Sequence, residues 1–141
     1  MKITAVTTER FKYTAHTTTD LDGHGHPGPP SEAVQIVLQI HTDEGISGHW
    51  FGVNDTIIES VIAPALVGKD PFMREEIWHD LNQRQRLNMG TMTDRTICAV
   101  DLALWDLAGV ALNTPVYKML GGYREKVPAY ASTMCGDDLE N

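Results

Sequence analysis

Residues 93–122 read TDRTICAVDLALWDLAGVALNTPVYKMLGG. Ile97, Val100, Leu104, Leu107 and Ala111 recur at steps of three and four, which puts them on one face of a helix that Thr93 or Asp94 is placed to cap. Leu102, Trp105, Gly109 and Leu112 form a second apolar face, so the helix is expected to be covered on more than one side. Burying each large aliphatic side chain is worth roughly 1.5–3 kcal/mol. That outweighs the poor helix propensity of Gly109, about 1 kcal/mol, and a glycine kept at this price is expected to permit close packing. Asn113 and Pro115 stop the helix, Gly121 and Gly122 reverse the chain, and residues 127–132 predict a new strand.

Upstream of that helix the pattern changes period. Residues 33–42 alternate, with Val34, Ile36, Leu38 and Ile40 on one face and Gln35, Gln39 and His41 on the other, the mark of a strand with one buried face. Asp43, Glu44 and Gly45 predict a hairpin turn, residues 46–51 the returning strand, and residues 2–13 a further strand. Between them, residues 14–31 are rich in Thr, His, Gly and Pro without apolar periodicity and read as a long loop.

Asn54 is placed to cap a helix carrying Ile58, Val61, Ile62, Ala65 and Leu66, with Pro64 expected to kink or shorten it and Gly68 to end it. Asp70 and Pro71 predict the next helix start, with Met73, Ile77, Trp78 and Leu81 as its buried stripe. The expected class is α+β, a three-stranded antiparallel meander sheet followed by a helical bundle.

Composition narrows the function classes. The 141 residues carry a formal charge of −8, and their Lys and Arg residues are scattered rather than gathered into the basic stripe that nucleic acid requires. Hydrophobic content of 42% is ordinary for a globular chain, and no apolar stretch is long enough to span a bilayer. Cys98, expected to be inert buried packing, and Cys135 form neither a disulfide framework nor a Cys-x-x-Cys knuckle. A reducing, cytoplasmic setting is expected, without nucleic-acid or membrane partners.

Three linked motifs, AVDLALWDLAG at 99–109, PVYKMLGG at 115–122 and KVPAYA at 126–131, follow TDEG at 42–45, Gly48 and GKDP at 68–71. Together they resemble the enolase superfamily, in its mandelate racemase and muconate-lactonizing branch, over essentially the whole chain. The resemblance implies that residues 1–125 are an N-terminal capping domain. Residues 126–141 would be the first strand of a (β/α) barrel that is otherwise absent.

In that family the acid–base Lys or His residues and the three carboxylates that hold magnesium lie on later barrel strands. No catalytic residue and no metal ligand is therefore expected in this chain. Family chemistry begins with abstraction of a proton next to a carboxylate, the metal holding the resulting enediolate, and ends in loss of water, racemisation or cycloisomerisation.

The resemblance maps two substrate-selecting cap loops onto residues 14–31 and 50–55. His24 and His26 in the first are candidate partners for a polyhydroxy acid; the alternatives are a solvated loop or adventitious zinc on the His-x-His pair. Trp50, Phe51 and Asn54 are candidates to wall the pocket, against core packing for the aromatics and capping for Asn54. Thr133, next to Ser132 at the end of the first barrel strand, is a further candidate contact.

Asp101 and Asp106 are five apart on the helix and point to different faces, which favours surface or ion-pair roles. Asp20 with Asp22, and Asp137 with Asp138, read as solvated loop acids.

The expected function is the capping part of a magnesium-dependent acid-sugar dehydratase, with the barrel, a small carboxylic acid and further copies of itself as partners. A racemase, epimerase or cycloisomerase of the same branch is the nearest alternative. A binding or assembly module without chemistry is the alternative of a different class. A lone barrel strand would leave an unpaired edge and favour self-association, so a truncated chain or fragment is expected.

Overall fold

The protein is seen in a computed structural model, and the described residues are 1–130; Ser132, Thr133, Cys135, Asp137 and Asp138 lie outside them. The chain divides into two compact units, Met1–Arg10 with Gln35–Gly122, and Phe11–Val34 with the segment that starts at Tyr123. Strands β1 (Ile3–Thr19), β2 (Gly25–Thr42) and β3 (Ser47–Phe51) form one sheet in the order β1-β2-β3.

In the first unit the alternation of β2 is realised: Leu38, Ile40 and Thr42 are buried while Gln39 and His41 are only partly covered. β3 pairs antiparallel with β2, Leu38 opposite Trp50 and Ile40 opposite Gly48. Gly45, at φ 75°, makes the intervening turn. On the wetter face His41 bridges the three strands, Nε2 lying 2.9 Å from Thr7 Oγ1 and Nδ1 2.9 Å from Ser47 Oγ.

Helices cover the other face. Asn54 caps α1 (Asp55–Ile57), its Oδ1 accepting from the Ile57 amide. A π-helical turn (Ile58–Ile62) and α2 (Ala63–Leu66) follow without a break, so Pro64 does not end the helix. Having no amide hydrogen, Pro64 cannot make its i−4 bond, and the turn before it widens, with Ala63 N–H reaching Ile58 O. Gly68 closes the segment at φ 89°.

Helix α3 spans Arg74–Leu87, later than Asp70 and Pro71 predict. The Asp70 carboxylate and carbonyl accept the Phe72 and Met73 amides and so form a separate turn ahead of the helix. Ile77 and Leu81 are buried, whereas Met73 and Trp78 are about half-exposed, so the stripe is narrower than expected.

Helix α4 spans Asp94–Ala111 and lies across β3. Thr93 takes the cap position, but its hydroxyl lies 3.5 Å from Thr96 Oγ1 and bonds no backbone amide. Ile97, Val100, Leu104 and Leu107 sink into one core with Ile3, Leu38, Ile40, Ile58, Ile62, Ile77 and Leu81. A methyl group at Gly48 would sit 2.1 Å from Ala103 O and 2.6 Å from Leu107 Cβ, so glycine is what lets helix and strand touch.

Helix α5 (Val116–Met119) and the turn before it close on Gly109, where a methyl group would lie 3.2 Å from Thr114 O, as the close-packing reading of that glycine requires. The second apolar face of α4 is only partly covered among the described residues: Arg74 lies over Trp105 and α5 over Gly109, while Leu102 and Leu112 are 38% and 56% exposed. Cys98 lies on this face and is exposed, which corrects its reading as buried packing.

The second unit is a two-stranded ribbon made of the far parts of β1 and β2, turned at residues 20–24. Residues 14–31 are therefore mostly strand, not loop. Nearly every residue of the ribbon is exposed, so neither face needs an apolar row and no alternation betrays it. Pro27, Pro29 and Pro30 fall on a stretch of β2 that precedes the β3 pairing, where a missing amide costs no bond to β3. A cross-strand ion pair, Lys12 to Glu32 at 2.8 Å, ties the strands. Residues 127–130 carry no strand, and the rest of the strand expected there lies outside the described residues.

Gly48→Ala is expected to cost ~3 kcal/mol, the upper end of what an overpacked core tolerates, because the added methyl meets helix backbone rather than a side-chain end. Urea denaturation checks it: a clearly lowered midpoint is expected, and an unchanged midpoint would show that the helix does not rest on this residue.

Candidate functional site

The ribbon turn is organised by one carboxylate. Asp20 Oδ1 accepts the amides of Asp22 at 2.9 Å and His24 at 2.8 Å, while Oδ2 lies 3.1 Å from both His24 Nδ1 and His26 Nε2. Gly23, at φ 89°, lets the chain reverse between them. The His24 amide, then the His26 ring, hold the Asp20 carboxyl down at about 2, against an ordinary value of 3.8. The structure thus brings the two candidate histidines together on a common acid. The histidine side chains are 52% and 27% exposed.

Asp20 is not the idle solvated acid its segment suggests. The readable signal is an Asp that opens a turn with Gly three residues on and His four on, the pattern in which a side chain captures its own downstream amides.

Asp20, Asp22 and His24 place one ligand atom each within 4.8 Å of one another. The cluster does not suit magnesium, which prefers near-octahedral oxygen donors. The Asp20 oxygens are already taken by amides and imidazoles, and no catalytic step is assigned to an ion here.

The second candidate group lies in the other unit. Trp50 and Phe51, which end β3, are 39% and 49% exposed and so are not core. Gly52 turns the chain at φ 74°, its amide donating to Ile36 O at 3.0 Å. Asn54 spends its side-chain oxygen on the Ile57 amide. Arg10 Nε donates to Asp55 Oδ2 at 2.7 Å, which holds the Asp55 carboxyl below its ordinary value and pins the loop to β1.

Against this loop lies Arg95, a residue that the helical pattern alone does not single out. Its Nη2 is 3.0 Å from where a Cβ of residue 52 would stand. The signal is its position: a cation in the first turn of a helix is opposed by the positive end of the helix dipole.

The two helix acids have the local roles expected. Asp106 accepts the His49 amide at 2.9 Å and fastens α4 to β3. Asp101 is raised above its ordinary value by burial, with the nearby Arg74 charge opposing, and the Arg74 guanidinium stacks 3.6 Å over the Trp105 ring. Thr133 is outside the described residues.

A three-stranded antiparallel sheet covered on one face by helices is the architecture expected of the capping domain. The family model of the mandelate racemase / muconate lactonizing enzyme N-terminal domain matches residues 27–121, and the chain belongs to that family.

Its fold is similar to that of D-glucarate dehydratase from Agrobacterium tumefaciens, crystallised with magnesium, at 46% identity and a TM-score of 0.90, over 99% of this chain and 38% of that one. A D-galactonate dehydratase family member from Halomonas elongata is 36% identical over 117 residues, and a D-mannonate dehydratase from Novosphingobium aromaticivorans is 33% identical over 117 residues. Each of those two alignments covers 74% of this chain and 28% of the relative. No helix among the described residues is long and apolar enough to cross a membrane.

The depressed Asp20 carboxyl makes the turn acid-sensitive in a defined window. Its contribution is fully present above about 4 and is lost as pH falls through about 2. In an NMR titration the amide signals of Asp22 and His24 should move together with a midpoint near 2, and Asp20→Asn should abolish the transition. A midpoint near 4 would show that Asp20 does not hold the turn.

Proposed function

We propose that this chain is the substrate-capping domain of a magnesium-dependent enzyme that removes water from a sugar acid. The observation that carries the proposal is the 46% identity, over nearly the whole chain, to a glucarate dehydratase, joined by galactonate and mannonate dehydratase relatives. Abstraction of the proton alpha to the carboxylate, followed by loss of the neighbouring hydroxyl as water, turns a 2,3-dihydroxy acid into a 2-keto-3-deoxy acid. In this reading the proton transfer and the magnesium belong to a barrel domain that begins near residue 126. This chain selects the substrate and excludes water from it.

The partly exposed apolar stripe on α4 supports a barrel as neighbour. Cys98, Leu102, Trp105, Gly109 and Leu112 follow one another at steps of four and three, opposite the face that the sheet covers. An apolar stripe that wide on a surface helix is normally packed against a neighbour. His24 and His26 in one unit, and Trp50 and Phe51 in the other, are the side chains this reading assigns to the substrate, with Thr133 at the end of the first barrel strand. The same reading makes the protein a cytoplasmic homo-oligomer.

A protein carrying this chain and its barrel should consume at least one sugar acid from a panel of aldonic and aldaric acids, with formation of a 2-keto product that chelation of magnesium abolishes. Turnover of a hydrophobic acid, and of none of the panel, would overturn the proposal.

A further inference from the structure

Arg95 stands in the first turn of α4, exposed, with its guanidinium laid over Gly52. Among the described residues it has no hydrogen bond and no ion pair. The acid next to it in sequence does not neutralise it, because Asp94 accepts from Gln85 Nε2 at 2.7 Å. Nothing in the helix favours an arginine here, since the dipole repels a cation from this end.

What holds the side chain is the loop after β3. Gly52 has no Cβ, and its φ of 74° is a conformation that other residues resist, so the guanidinium rests directly on backbone. Trp50 and Phe51, immediately before that glycine, are half-exposed. A planar cation laid against a bare backbone turn and left without a partner among the described residues is placed to receive an anion, and its fork of donors matches a carboxylate with two parallel bonds.

Resting on the sugar-acid reading above, we infer that Arg95 binds the carboxylate at the far end of the substrate and selects aldaric acids, which carry two carboxylates, over aldonic acids, which carry one. In that reading the reacting carboxylate belongs to the barrel, so a monoacid brings nothing to the cap that pairs with the guanidinium. Closure over a neutral hydroxymethyl end would strip water from an unpaired cation, and that penalty discriminates against the monoacid.

The test uses the barrel-bearing enzyme, loaded with magnesium, and measures kcat and KM for aldaric and aldonic acids of matched stereochemistry. The wild type should favour the diacid. Arg95→Gln should raise KM for the diacid about tenfold or more with little change in kcat and lower KM for any monoacid that is turned over, and Arg95→Lys should recover part of the diacid loss. Consumption of sugar acids with a diacid KM indifferent to Arg95→Gln, or a wild-type preference for monoacids, would overturn the inference while leaving the dehydratase reading intact. Turnover of no sugar acid at all removes both.

Discussion

The first unit depends on one approach distance, that between α4 and β3 at Gly48. With a side chain at that position the helix backbone at Ala103 and the Leu107 side chain could not reach the sheet. With glycine there, Val100, Leu104 and Leu107 drop to full burial over Leu38 and Ile40. The same contact sets the rest of the helix. Asp106 is brought within 2.9 Å of the His49 amide, and the helix start brings Arg95 onto Gly52. A core contact thereby positions a surface cation eight to twelve residues away along roughly two to three turns of helix.

Much of this unit is legible in the sequence because burial writes periodicity. The 3.6-residue stripe of α4 and the two-residue alternation of β2 both follow from having one face in the core, and both are found where expected. Where burial is weak, the pattern fades. The ribbon of residues 14–31 is held by backbone pairing and by ion pairs such as Lys12 to Glu32, and with both faces wet it carries no apolar rhythm. Local chemistry misleads in a different way at Asp70 and Pro71, which suit a helix start equally well as the separate turn they form.

The candidate site shows the same division. His24 and His26 stand out by residue type, but the Asp20 carboxylate that gathers them is visible only as a turn, and the significance of Arg95 requires knowing that Gly52 lies under it. Asn54 answers to its capping role, and the loop it closes is fixed as well by Arg10 on Asp55. These turns are tied by their own hydrogen bonds, which lowers the cost of ordering them around a ligand.

In the proposed protein α4 is buried on two sides, by its own sheet and by a barrel, and Cys98 reports on the second side because it lies exposed on that stripe. In a Cys135→Ser background, the rate of thiol modification should be measured on the 141-residue chain and on the barrel-bearing protein. Rapid modification in the former and strong protection in the latter is the predicted result. Equal reactivity in both would contradict it and leave the apolar stripe without its partner.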